Sequence, residues 1–81
     1  ILLVVEVSDY SVAYDRDVKI PLYAEAGIRE AWQVDLPAET VIVLRQPAPA
    51  GYRDVQRLRR GEDLTCEALP DLRLAVASIL G

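Results

Sequence analysis

The chain has 81 residues and a formal net charge of −4, from nine basic and thirteen acidic side chains. This length predicts one domain, residues 1–81, and the 52% share of hydrophobic residues excludes intrinsic disorder. The acidic balance argues against a large nucleic-acid footprint, because binding to phosphates favours basic residues. The sequence starts at Ile1 and contains no methionine, so we expect a fragment or a short member of its fold.

Two residue types exclude further classes of site. Cys66 is the single cysteine, and the chain contains no histidine. This excludes an intramolecular disulfide and any Ser–His or Cys–His catalysis within the chain, and it argues against structural zinc. No apolar run approaches the roughly 20 residues of a membrane span, and no signal peptide opens the chain. We expect a cytoplasmic protein without membrane contact and without a haem or nucleotide cofactor.

The first predicted element is a strand. Residues 1–7 are apolar and rich in β-branched side chains, with Glu6 as the one exception. A short run of this kind is typical of a strand that is buried on both faces of a sheet. A polar connection, residues 8–13, follows it.

The second predicted element is a helix over 15–26, which has acidic residues in its first turn and Gly27 just past its end. Pro21 conflicts with a regular helix, so an alternative start lies near Lys19, with Pro21 in the first turn. Residues repeating at intervals of four predict the apolar stripe that faces the core. This stripe consists of Val18, Leu22 and Ala26.

The rest of the chain predicts a meander of strands. The predicted strands are 31–35, 41–45 and 52–58, separated by a turn at 36–40 and a loop at 46–51. We expect a polar turn at 59–63, irregular structure over 64–74, and a final helical turn or short strand at 75–80. The order strand–helix–strand–strand–strand predicts an α+β domain with a mixed sheet and one main helix.

Glu6 is the first candidate for a functional residue. A carboxylate in an apolar strand is costly to bury unless it is paired or binds a metal, although a position near the strand end would leave it in water. Asp15, Lys19 and Tyr23 are spaced by four, which places them on one face of a regular helix. Lys19 would then project over the strand end that carries Glu6, and a metal-binding carboxylate beside a lysine is a minimal hydrolytic arrangement. The alternative is an exposed Asp–Lys pair and a packed tyrosine.

Several other residues have structural interpretations. The basic residues concentrate in one stretch, which fits either a groove along a nucleic-acid backbone or, because acids lie among them, a solvated strand and turn. They are Arg53, Arg57, Arg59 and Arg60. Trp32 is expected in the core or at an interface, and Ser8 and Ser11 are expected in turns or caps.

The combined pattern resembles the Uma-type family of putative restriction endonucleases, a bacterial family in the PD-(D/E)XK nuclease superfamily. The resemblance covers nearly the whole chain. The segments that carry it are 3–8, Ser11, Asp15, Lys19, Tyr23, 26–28, 30–35, 41–45, Tyr52, 61–64 and 69–72.

The resemblance implies a partial restriction-endonuclease-like core and a nucleic-acid phosphodiester hydrolase that uses Mg²⁺ or Mn²⁺, with DNA as a partner. Glu6 matches the family's metal-binding strand glutamate. Ser8 stands where the superfamily's usual lysine falls, so Lys19 on the helix is the candidate replacement. Asp15 and Tyr23 match recurrent positions and are candidates for supporting roles.

One departure from the family pattern concerns the start of the first strand. The resemblance places a proline and a metal-binding aspartate at positions 1 and 2, which are Ile1 and Leu2 here. Leucine cannot bind a hard cation, which requires oxygen ligands. Two functions therefore stay open: a metal-dependent endonuclease-like domain, or a degenerate, inactive domain that acts as a dimerisation or protein-interaction module.

Overall fold

The computed structural model describes residues 2–81, so Ile1 of the predicted first strand lies outside the described residues. The helices and strands are, in chain order, β1 (Leu3–Ser8), α1 (Val12–Tyr14), a π-helical stretch (Asp15–Lys19), α2 (Ile20–Glu25), β2 (Glu30–Asp35), β3 (Thr40–Ala48), β4 (Gly51–Arg59), β5 (Asp63–Cys66), β6 (Leu69–Ala75) and α3 (Val76–Leu80). The α1, π-helical and α2 parts follow one another without a break and form one helical segment.

The strands form a four-stranded sheet in the order β1-β2-β3-β4 and a separate two-stranded hairpin of β5 and β6. Strands β1 and β2 are parallel, because the helical segment between them returns the chain to the same end of the sheet. The pairs β2–β3 and β3–β4 are antiparallel. The predicted α+β class, the mixed sheet and the single main helix are confirmed.

The two faces of the sheet carry separate cores. On one face, the helical segment packs Ile20 against Ala31, Ile42 and Leu44. On the other face, β5 and α3 cover the sheet. The buried residues of that second core are Trp32, Val34, Val41, Val43, Leu64, Cys66 and Val76. The expected burial of Trp32 is confirmed, and every residue of β2 is buried because β2 lies between the two cores.

The predicted apolar stripe of the helix was wrong. Val18 is 40% exposed and Leu22 is 56% exposed, whereas Ile20 and Ala24 are buried. The spacing of four assumed a regular α-helix, but the Ile20 N–H donates to the Asp15 carbonyl, an i to i+5 bond that widens the helix. The helical segment also begins at Val12, before the predicted boundary.

Pro21 lies in the first turn of α2, as the alternative start predicted. A proline inside a helix lacks a donor and clashes with the carbonyl four residues earlier, so the wider stretch before it relieves this conflict. Among residues 2–81, no helix has the length and the apolar character needed to cross a membrane.

Two predictions for the second half were also wrong in part. Strands β3 and β4 extend into the predicted loop over 46–51, and the break in their regular pairing lies at Gln46, which has a positive φ of 60°. Residues 64–74 are not irregular, because they contain most of the β5–β6 hairpin. The final element is a helix, which was one of the two alternatives.

Strand β1 is not buried on both faces. It forms one edge of the four-stranded sheet, and Val5 and Val7 are 47% and 60% exposed. Side chains alternate along a strand, so Glu6 and Ser8 lie on the opposite face from these valines. That face is the one covered by the helical segment.

Candidate active site

The candidate site lies where the second half of β1 meets the helical segment. Glu6 and Ser8 project from β1 toward the helix, and the connection over residues 9–11 is short enough to place Asp15 directly over Ser8. Lys19 and Tyr23 follow on the same side of the helix. The structure therefore brings together all four residues that the sequence singled out, Glu6, Asp15, Lys19 and Tyr23.

Both oxygens of Glu6 have a partner. Lys19 donates from Nζ to Oε1 at 3.0 Å, and the Tyr23 hydroxyl donates to Oε2 at 2.6 Å. The Glu6 side chain is only 17% exposed. The charge of a mostly buried carboxylate is thus compensated by an ammonium group and a hydroxyl donor, which explains why an apolar strand tolerates it.

Asp15 is the most buried member of the site, with 1% exposure. Its Oδ2 accepts hydrogen bonds from Ser8 Oγ and Ser11 Oγ, both at 2.7 Å. Its Oδ1 is buried without a hydrogen-bond partner among the described residues and lies 3.6 Å from Lys19 Nζ. Ser8 was expected in a turn or cap, but it is a fully buried strand residue that holds Asp15.

Gln33 is a residue of this network that sequence reasoning missed. It is 1% exposed on β2 and pairs in register with Glu6. Its Nε2 donates to Ser8 Oγ at 3.1 Å and to the Val12 carbonyl at 3.0 Å, which ties the helix start to the sheet. A polar amide inside the otherwise buried run of β2 is the signal that could have identified it.

The contacts set the protonation states. The hydroxyls of Ser8 and Ser11, with a contribution from Lys19, hold the pKa of Asp15 below its ordinary value. The carboxylate of Glu6 raises the pKa of Lys19, and its hydrogen bond with Tyr23 raises the pKa of the Tyr23 phenol. At neutral pH the site therefore presents an ionised aspartate, a protonated lysine and a neutral tyrosine.

Solvent reaches Lys19, because 43% of its side chain is exposed. Asp15 and Lys19 stand at the two ends of the π-helical stretch. Such single-turn widenings occur frequently at functional sites. In this helical segment, the Lys19 ammonium lies within 4 Å of the carboxylates of both Glu6 and Asp15.

The donors available to a metal ion are the two carboxylates around Lys19. No group of three His, Cys, Asp or Glu side chains able to hold a metal ion occurs in the part of the chain that the structure describes. Mg²⁺ uses one or two carboxylates and keeps several waters or substrate phosphates, so Glu6 and Asp15 fit this requirement in the number and type of donors. A cation would compete with the Lys19 ammonium for both carboxylates, because Lys19 Nζ lies 3.0 Å from Glu6 Oε1 and 3.6 Å from Asp15 Oδ1.

Position 2 lies at the other end of β1. Leu2 precedes the strand, lines a cavity with Arg29, Glu30 and Glu67, and lies four positions before Glu6. In extended chain this spacing corresponds to about 13 Å. A cation held by Glu6 would therefore find its second carboxylate in Asp15 rather than at position 2.

Comparisons with known proteins identify the family. Neither the curated proteins nor the solved structures contain a match to this chain. A family model described as "Uma2: Putative restriction endonuclease" matches residues 1–77, nearly the whole chain, which confirms the predicted resemblance. This family implies a DNA substrate, and restriction-endonuclease-like proteins generally depend on a divalent metal ion. The chain therefore belongs to the Uma2 family of putative restriction endonucleases.

Proposed function

We propose that this chain is a metal-dependent endonuclease-type domain that hydrolyses DNA phosphodiesters, with Glu6 and Lys19 in its active site. The observation that carries the proposal is the 3.0 Å contact between Glu6 Oε1 and the half-exposed Lys19 ammonium. Asp15, a second carboxylate, points its unpartnered Oδ1 at the same ammonium, so two acids face one solvent-accessible cation.

Lys19 supplies fixed positive charge. The raised pKa keeps its ammonium protonated at neutral pH, and its exposure allows a phosphate to approach it. Negative charge grows on the phosphoryl oxygens during hydrolysis, and a positioned ammonium stabilises that charge. Asp15 and Glu6 hold the ammonium in place between them.

Tyr23 and the two serines are positioning residues. Tyr23 donates to Glu6 Oε2 and so holds the orientation of the carboxylate, while Ser8 and Ser11 keep Asp15 ionised and aligned. Glu6, with Asp15 in support, would hold the metal ion. The chemistry that Mg²⁺ or Mn²⁺ supplies when bound is polarisation of a phosphoryl oxygen and acidification of a water.

Cleavage of supercoiled plasmid DNA in Mg²⁺ or Mn²⁺ tests the proposal. We expect cleavage by the unmodified chain, and a loss of about 100-fold or more in Glu6→Gln and Lys19→Met. Glu25→Gln, an exposed change on the same helical segment, is the matched control and should cleave normally. An unmodified chain that leaves the plasmid intact, or a Glu6→Gln variant that cleaves at the normal rate, contradicts the proposal.

A second candidate function, a dimerisation module, is favoured by the exposed apolar face of β1. Val5 and Val7 are 47% and 60% exposed on an edge strand, which is a surface that a second copy could cover. A melting temperature that rises with protein concentration supports this candidate, and a concentration-independent one contradicts it.

A further inference from the structure

A cleft lies on the helix side of the sheet, between the helical segment and strands β3 and β4. Its volume is about 280 Å³. The floor is apolar and includes Ile42, Leu44 and Tyr52. The Tyr52 hydroxyl donates to the Ile28 carbonyl at 2.6 Å, so the orientation of this aromatic ring is fixed before any ligand arrives.

The rim of the cleft is positively charged. Arg16 and Arg57 are the two charged residues that line it, although the chain as a whole carries a net charge of −4. Arg16 is paired with the exposed Asp17 at 2.9 Å, whereas Arg57 forms no ion pair with any of residues 2–81. This combination of an apolar floor and a cationic rim complements a ligand that has both a flat apolar part and an anionic part.

The cleft adjoins the candidate active site. Gln33 lines the cleft, and the same amide donates to Ser8 Oγ, the hydroxyl that holds Asp15. The register of β3 with β4 places Arg57 opposite Ile42 and Val55 opposite Leu44, so these β4 side chains lie on the face that carries the active site. A strand bound along β4 would therefore reach the helical segment on the side of Glu6.

We propose that this cleft binds one unpaired nucleotide of the nucleic-acid strand, with its base on Tyr52 and Leu44 and its phosphate on Arg57. This inference rests on the proposed function for the identity of the ligand. In a duplex, neighbouring bases cover both faces of each base, so only an unpaired or flipped base reaches a concave apolar floor. The cleft has room for about one base, since its volume is at the small end of ligand sites.

Binding measured by fluorescence anisotropy in EDTA tests this inference without any hydrolysis. The probes are a labelled oligothymidine of about 15 nucleotides and a duplex of the same length. We expect tighter binding of the single strand and a loss of about 5- to 10-fold in Arg57→Gln at low salt. The salt dependence, plotted as log K against log salt concentration, should become shallower by about 0.7 in this variant.

Two further variants make the test specific. Arg73→Gln removes the same charge from β6, where the side chain is 71% exposed and lies outside the four-stranded sheet, and should bind normally. Val55→Glu places a carboxylate at an exposed position that lines the cleft and should weaken binding at least as much as Arg57→Gln. Both positions are exposed, so neither change should disturb folding.

The inference is overturned if single strand and duplex bind equally, if Arg57→Gln binds like the unmodified chain, or if an acidic peptide competes as well as oligothymidine. Binding in EDTA does not depend on Glu6 or on hydrolysis. A chain that binds single strands through Arg57 but leaves DNA intact refutes the proposed hydrolysis alone, and one that cleaves without dependence on Arg57 refutes the nucleotide cleft alone.

Discussion

Two carboxylates, Asp15 and Glu30, are each 1% exposed, but their surroundings differ. Asp15 lies on the helix side of the sheet, and Glu30 lies on the side of the β5–β6 hairpin. Glu30 Oε2 accepts a hydrogen bond from Trp32 Nε1 at 2.5 Å, and its Oε1 accepts one from the Glu67 backbone N–H at 2.9 Å. Arg45 adds an ion pair with Oε1 at 3.4 Å.

The two acids differ in whether a carboxylate oxygen remains without a hydrogen-bond donor. Both oxygens of Glu30 have donors, and its ion-pair partner Arg45 is 19% exposed and bonded to the Thr65 carbonyl. Asp15 keeps one oxygen without a hydrogen bond, next to an ammonium that is 43% exposed. Burial of an acid therefore does not by itself indicate function. An unsatisfied oxygen beside an accessible charged partner is the better indicator.

The largest expected effect is on stability, at Glu30. Glu30→Ala removes the hydrogen bond to the hairpin at Glu67 and the hydrogen bond from Trp32 within β2. It also leaves the mostly buried Arg45 of β3 without its closest charge partner. We expect a loss of about 3 kcal/mol in the free energy of unfolding, measured with urea. The folded fraction should bind Mn²⁺ as the unmodified chain does. A loss under about 1 kcal/mol would show that the contacts of Glu30 contribute little to the stability of the fold.

A smaller loss is expected at Ser8, on the active-site side of β2. Ser8→Ala removes a donor to Asp15 and an acceptor for Gln33, both buried. We expect a loss of about 1–2 kcal/mol in unfolding free energy. Ser11→Ala is the matched control, because Ser11 donates to the same Asp15 oxygen from a partly buried position and should cost less. An equal cost for the two serines would contradict the role assigned to Gln33.

The acid sensitivity of the fold tests Asp15 itself. Its pKa in the folded chain lies below the ordinary 3.8, so the folded state binds fewer protons than the unfolded state. The resulting stabilisation is present above about pH 3.8 and is lost as pH falls through the folded pKa. Asp15→Asn should therefore show a flatter decline in stability below this pH, measured by urea unfolding at several acidic values. If the unfolding free energies of the two proteins declined in parallel, the lowered pKa of Asp15 in the folded chain would be contradicted.

The smallest expected effect is on the titration of Tyr23. Its pKa is raised from 10.0 chiefly by the hydrogen bond to Glu6. In Glu6→Gln we expect the pKa of Tyr23 to fall toward that ordinary value, because the acceptor is no longer charged. The pKa of Tyr23 is measured from the near-ultraviolet absorbance of phenolate during an alkaline titration. The titration of Tyr23→Phe is subtracted to remove the signal of the other tyrosines. An unchanged titration would show that Glu6 and Tyr23 do not interact in solution.

The sequence could predict the part of the site in which residues lie close together along the chain at regular intervals. Asp15, Lys19 and Tyr23 lie four residues apart, which predicted one shared helix face, and one of the two interpretations placed Lys19 over the strand end that carries Glu6. The contact between Gln33 and Ser8 spans 25 positions, and its only sign in the sequence is a polar residue in a short strand. Local patterns do not encode such long-range pairs.

The errors in the fold have similar physical causes. The π-helical stretch changed which helix residues face the sheet, and the spacing of Val18 and Leu22 cannot reveal an i to i+5 bond. In the hairpin, Leu64 and Cys66 alternate with exposed neighbours, but β5 has only four residues. So short an alternation is difficult to distinguish from a loop. The edge position of β1 depends on strand order, which the composition of one strand does not determine.

Calorimetric titration of Mn²⁺ into the chain, with Glu6→Ala and Lys19→Ala beside it, tests the central claim most directly. The account predicts binding in the unmodified chain that disappears in Glu6→Ala and persists in Lys19→Ala, because Glu6 holds the ion and Lys19 only accompanies it. Absence of binding at millimolar Mn²⁺, or binding that survives Glu6→Ala, would contradict the assignment of Glu6 and Asp15 as the metal-binding pair.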